Sequence, residues 1–174
     1  MIEVVDSLQA SFALSILVII CAETANRGAS LSEVAHVARE IGPQIETYFS
    51  VDSLEYLHRG GRIGKAQVFL GTLMKIKPLL KVMNGEVQPI EKIRTSERLL
   101  NRFVELVELA AQEHSQLLMA VGESDNAEVM TDLLGRLERI PGISLMFRGK
   151  LGGVITSHAG PGALGIAYVK NVLK

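Results

Sequence analysis

A chain of 174 residues has room for one domain with a sizeable core and part of a second. Hydrophobic residues are 48% and charged residues 21%, which is a folding rather than a disordered composition, and a formal net charge of -1 gives no general electrostatic case for nucleic acid or an anionic membrane. With no Trp and only 5% aromatics a base-stacking surface is not expected, and Cys21, the lone cysteine, leaves neither an intrachain disulfide nor a cysteine-based metal site, a usage that fits a reducing, cytoplasmic location.

Residues 2–5 form a short apolar run that reads as a strand ending at Asp6 and Ser7. A lone first strand needs sheet neighbours, so the chain is expected to begin inside a larger protein. Residues 9–26 read as a helix that ends near Gly28. Its apolar run, residues 12–22, is shorter than the roughly 20 residues that span a bilayer. Glu3 and Asp6 precede it where a signal peptide carries positive charge, so a buried helix and no membrane insertion are expected. Ser30 and Glu33 have capping-box spacing, and Leu31, Val34, Ala35, Ala38 and Ile41 continue as a helix that Pro43 ends or kinks.

Residues 48–51 read as a strand, 54–58 as a short helix and 65–73 as a helix. Two apolar runs, 79–83 and 87–93, are separated by Asn84 and Gly85, the strongest short-range hairpin signal, and Pro89 puts its strand at an edge or on a bulge. Thr95 or Ser96 caps a long helix to about Glu113. Residues 117–121 are a strand; Asp125 with Glu128 predicts a second capping box before a helix; 143–147, 154–156 and 164–169 read as further strands. The alternation predicts an α/β fold: a layered domain whose mixed β-sheet is covered by helices.

Three stretches depart from core-and-surface patterning. The first is His58-Arg59-Gly60-Gly61-Arg62-Ile63-Gly64-Lys65-Ala66, where paired glycines free backbone amides to face a ligand and Arg62 can fork onto a carboxylate or phosphate. It is not a P-loop, because Gly60 and Gly64 enclose three residues and Ala66 follows the lysine. The second is the glycine-rich run from Gly152 to Gly165. Gly160 to Gly165 spells G-x-G-x-x-G, but a strand rather than a helix follows, so a dinucleotide site is excluded. His158 remains, at the expected end of a strand and able to donate to an oxyanion, with Thr156 and Ser157 adding hydroxyls. The third is the apolar run of residues 69–80, with Leu73 and Met74, followed by Met83, which suits either a core or a lipid tunnel. On spacing alone each stretch has an ordinary structural explanation. No metal-ligand spacing and no nucleophile elbow occurs, so neither a catalytic centre nor a metal or other cofactor is expected.

Val51-Asp52-Ser53-Leu54-Glu55-Tyr56-Leu57 followed by Arg59-Gly60-Gly61-Arg62-Ile63-Gly64, then Ile76-Lys77-Pro78-Leu79-Leu80 with Asn84-Gly85-Glu86-Val87, then Ser157-His158-Ala159-Gly160-Pro161-Gly162-Ala163-Leu164-Gly165, resemble three blocks of the DegV family in the family's order. Val5-Asp6-Ser7 extends the resemblance to nearly the whole chain. The resemblance implies a two-domain fatty-acid-binding protein whose carboxylate site lies between the domains, with the tail buried largely in the C-terminal one. It implies residues 1–46 as a remnant of the preceding domain with connecting helices, and 47–174 as the lipid-binding domain. The family's arginine falls on Arg62 and its histidine on His158, with Gly61, Ser157 and Gly160 beside them. The implied ligand is a long-chain fatty acid and the implied partner a separate fatty acid kinase to which the lipid is presented. The family's N-terminal domain also supplies hydroxyl groups to the head group, and that domain has no counterpart here. A truncated protein is therefore expected, whose exposed domain face can drive homo-oligomer formation. The alternatives are an enzyme that acts on a phosphorylated metabolite through the two glycine loops, and a purely structural or interaction domain in which Arg62 and His158 lie far apart.

Overall fold

The computed structural model describes residues 1–71 and 76–171. The expected strand over residues 2–5 is absent: the first ten residues have no regular structure, and Ile2 and Val4 stand almost wholly exposed. No neighbouring strand offers them a ladder, and an unpaired strand in water has no backbone partners to hold it.

Helix α1 (Ser11–Asn26) buries Ala13, Ile16, Leu17 and Ile20 while leaving Leu14 and Val18 exposed. Helix α2 (Leu31–Ile41) begins with the predicted reciprocal cap, the Ser30 hydroxyl accepting from the Glu33 amide and Glu33 accepting from the Ser30 amide. It ends in a 3-10 turn at Gly42–Gln44 where Pro43 stops it. Strand β1 (Glu46–Ser50) leads to the short helix α3 (Glu55–Arg59). A 3-10 helix at Gly64–Phe69 stands where the α-helix over 65–73 is expected; Leu73 and Met74 lie outside the described residues. Strands β2 (Lys77–Met83) and β3 (Glu86–Ile93) form the predicted hairpin, with Asn84 and Gly85 both at positive φ, as a tight two-residue turn requires. Pro89 sits on an edge strand at a bulge, where Ile90 is the extra residue.

Helix α4 (Ser96–Glu113) is capped by Thr95, whose hydroxyl accepts from the Arg98 amide. Strand β4 (Leu117–Ser124), buried along its whole length, leads to α5 (Ala127–Leu137) and then β5 (Ile143–Lys150). The segment expected as a strand at 154–156 is instead helix α6 (Gly153–Ala159), followed by β6 (Ala163–Lys170). Val154, Ile155 and Thr156 are β-branched, which favours a strand locally. The sheet position between β1 and β4 is already filled by β6, so this run crosses a face of the sheet and packs against α3.

The sheet order is β3-β2-β1-β6-β4-β5, antiparallel throughout except for the parallel β4–β5 pair. This is the expected α/β layering on a mixed sheet. Side chains alternate between its faces. On one face Leu117, Met119, Val121, Leu164, Ile166 and Tyr168 pack under α4 and α5 around Phe103 and Leu133. On the other, α1 covers Leu118, Ala120, Ala167 and Val169. Next to α1 on that second face a separate cluster, Val51, Leu57, Ile63, Leu80, Ala159 and Ala163, is built under α3, the 3-10 helix and α6.

The start of α5 departs from expectation. Asp125 lies in the left-handed region, φ 50°, and does not cap. The cap is Glu123, buried at 1% exposure, whose carboxylate accepts from the Asn126 amide at 2.7 Å. The Asn126 side chain in turn donates to the Gly162 carbonyl, the Gly162 amide donates to the Ser124 carbonyl, and the Leu151 amide donates to the Glu123 carbonyl. These bonds tie the end of β4 to both ends of the α6 segment. Removing a buried acceptor exposes its donor's full desolvation cost, so Glu123→Ala should destabilise the fold by about 1–3 kcal/mol in denaturant titration, while Asp125→Asn should stay within about 0.5 kcal/mol.

Candidate functional site

Between α1 and the α3–α6 pair, on the second face of the sheet, lies a cavity of about 200 Å³. Its floor is made by small residues: Ala120 and Gly122 from β4, and Ala163, Gly165 and Ala167 from β6. These come together by register, since Ala120 pairs with Ala167 and Gly122 with Gly165 directly across the strands. Cross-strand neighbours on one face sit about 5 Å apart, so four small side chains in two adjacent pairs leave a trough rather than a packed surface. Phe49, Val82 and Val87 form one side, residues 10–13 another, and Leu57, Ile155 and Ala159 the roof. The lining is predominantly apolar.

Arg62 and His158 both line this cavity. Arg62 follows the turn after α3, with its backbone amide donating to the Leu57 carbonyl and buried Ile63 next to it as an anchor. Its side chain is exposed and Nη1 donates to the Gly60 carbonyl at 2.8 Å; among the described residues no carboxylate pairs with it. His158 belongs to the last turn of α6, not to a strand end. Its Nδ1 is buried and has no hydrogen-bond partner among the described residues. A Cβ added at Gly60 would stand 2.2 Å from that nitrogen, so a side chain at residue 60 would displace the His158 ring. Arg62 and His158 thus both lie against Gly60, the first through its carbonyl and the second beside its α-carbon.

The other expected site residues are dispersed. Gly61 lies in an exposed turn at φ 67°, with open space where a Cβ would stand. Gly160 ends α6 with φ 77° and ψ 176°, a conformation nearly restricted to glycine, and lies flat against the Tyr56 ring. Ser157 is exposed, lies outside the cavity lining, and its hydroxyl donates to the Val154 carbonyl; Thr156 donates to the Leu151 carbonyl. Lys65 is exposed and outside the lining. Residue-by-residue reading missed the floor. Its signal is present in Ala163-x-Gly165-x-Ala167 and Ala120-x-Gly122, small residues at the two-residue period of one strand face.

Among the described residues no group of three or more His, Cys, Asp or Glu side chains gathers to hold a metal, and no helix is long and apolar enough to cross a membrane.

At Gly160 a Cβ would meet the Tyr56 ring at 2.4 Å as well as an unfavourable backbone, so Gly160→Ala should cost about 2 kcal/mol or more in thermal unfolding. Gly61→Ala, with open space around it, should cost only about 1 kcal/mol.

A DegV domain-containing protein of Streptomyces coelicolor is 35% identical over 170 residues, covering 95% of this chain and 59% of that protein. Protein DegV of Bacillus subtilis is 35% identical over 149 residues, covering 84% of this chain and 53% of that one. Among solved structures, a DegV family protein from Thermus thermophilus, described by its fatty acid binding, superposes with a TM-score of 0.90 at 29% identity over 97% of this chain and 61% of that chain. DegV from Bacillus subtilis, described as a fatty acid binding protein, superposes with a TM-score of 0.84 at 31% identity over 96% of this chain and 60% of that one. The chain therefore spans less than two thirds of each of these proteins. The family profile described as uncharacterised protein, DegV family, matches residues 1–171, and the chain belongs to the DegV family.

Proposed function

We propose that this protein binds a long-chain fatty acid, its acyl chain in the apolar cavity and its carboxylate at the mouth against Arg62 and His158. The observation that carries this reading is that one apolar cavity is lined by an arginine and a buried histidine Nδ1 which, among the described residues, have respectively no carboxylate and no hydrogen-bond partner. A buried unpaired nitrogen costs free energy until something satisfies it. A carboxylate is a suitable acceptor, and a guanidinium binds it in forked geometry. The predominantly apolar lining suits an acyl tail better than a phosphorylated metabolite. Solved relatives described as fatty acid binding support the same reading.

On this reading the protein is a carrier in the cytoplasm rather than an enzyme, and it presents the carboxylate to a separate fatty acid kinase. Its lipid-binding unit is residues 47–174, with residues 10–13 of the preceding segment closing one wall. Gly61 and Gly160 act by shaping the two loops, and Ser157 would reach the head group only by giving up its bond to the Val154 carbonyl. Association into homo-oligomers would use the apolar residues that α1 leaves exposed, Leu14 and Val18.

Native mass spectrometry of the purified protein should find an acyl-chain mass that is lost on denaturation. Absence of that mass, together with no uptake of added fatty acid, would sink the reading. Loss of one charge-assisted hydrogen bond is worth about 1.5–3 kcal/mol, so Arg62→Ala and His158→Ala should each weaken fatty-acid binding roughly tenfold or more. Ala167→Leu should fill the trough and abolish uptake, with a stability change within about 3 kcal/mol in thermal unfolding.

A further inference from the structure

The wall of the cavity opposite Arg62 and His158 is an unusual piece of chain. Leu8 and Ser11 both have left-handed backbone, φ 53° and 56°, a conformation that costs free energy in residues with side chains. The segment between them is held from the sheet side. The Gln9 side-chain Nε2 donates to the carbonyls of Gly42 and Ile45 at 3.1 and 3.2 Å, and the Thr47 hydroxyl donates to the Gln9 Oε1. One end reaches the β2–β3 turn, where Leu8 lies against Gly85. The other end delivers Phe12. Its ring lies against Gly122, so that a Cβ there would stand 2.1 Å from a ring carbon, and it stacks on Phe147 of the edge strand with centroids 6.1 Å apart.

Phe12 therefore occupies the end of the trough that the small residues of β4 and β6 create. The space left over, about 200 Å³, is below the roughly 300–1,000 Å³ typical of ligand pockets. The ring covers Gly122, one of the small residues of the trough, and packs there against Phe147 of β5.

We propose that Phe12 is the specificity-determining residue for acyl-chain length, its ring closing the far end of the cavity. This rests on the fatty-acid reading above. The strained backbone at Leu8 and Ser11 and the three hydrogen bonds of Gln9 hold the ring in place, which makes the stop rigid. The length of chain taken up depends on the bulk of this one side chain.

The test is native mass spectrometry of the purified protein, exchanged against an equimolar mixture of saturated fatty acids from medium to long chain. Phe12→Ala should move the bound acyl masses to longer chains by about two carbons or more, since the ring fills the space of several methylene-sized units. Phe12→Leu keeps the apolar packing and should move them the same way by less, and it serves where the alanine variant folds poorly. Phe12→Trp should move them to shorter chains. Acyl masses distributed identically in the wild type and all three variants would overturn the role of Phe12 and leave fatty-acid binding standing. No acyl mass in any of the four proteins would overturn fatty-acid binding and the role of Phe12 with it.

Discussion

The cavity depends on one register. Strands β4 and β6 pair antiparallel so that Ala120 faces Ala167 and Gly122 faces Gly165. The same pairing places the larger residues Met119, Val121, Ile166 and Tyr168 on the opposite face, where they fill the core under α4 and α5. A slip of one residue would exchange the two sets. It would put a void under α4 and α5 and large side chains into the trough. The register that packs one side of the sheet is thus the register that hollows the other, and stability and site cannot be separated.

Around that trough the chain gathers groups from far apart. Arg62 comes from the turn after α3, His158 from the last turn of α6, and Phe12 from the start of α1. Each is fixed by hydrogen bonds of its own or a neighbouring segment. Arg62 is held through its amide bond to Leu57, α6 through the buried Glu123 network, and Phe12 through Gln9. The two polar groups meet at Gly60, which has no side chain to keep them apart. The result is an apolar cavity whose lining includes polar groups beside Gly60 and the ring of Phe12 over Gly122.

Much of this was legible along the chain. The capping box at Ser30 and Glu33, the Asn84–Gly85 hairpin, the bulge at Pro89 and the Thr95 cap all depend on residues a few positions apart, and local chemistry decides them. Arg62 and His158 were legible only through the ordered set of motifs, since each alone has an ordinary explanation. Asp125 was misread because the spacing of a capping box was present, while the acceptor that satisfies the Asn126 amide comes from Glu123, buried at the end of β4. The run at 154–156 was misread because its β-branched residues favour a strand, while the place in the sheet was already taken by β6.

What the sequence determined by itself is most of the elements, the caps and turns that depend on near neighbours, and the pair of polar side chains that the motifs single out. Only the tertiary structure decided that the pair shares a cavity, that the floor is a patch of cross-strand alanines and glycines, and that Phe12 lies above it. The physical reason is range. Caps and turns are settled by bonds between near neighbours, whereas a cavity is the space left when side chains from distant strands are brought opposite one another, and empty space has no residue of its own to announce it.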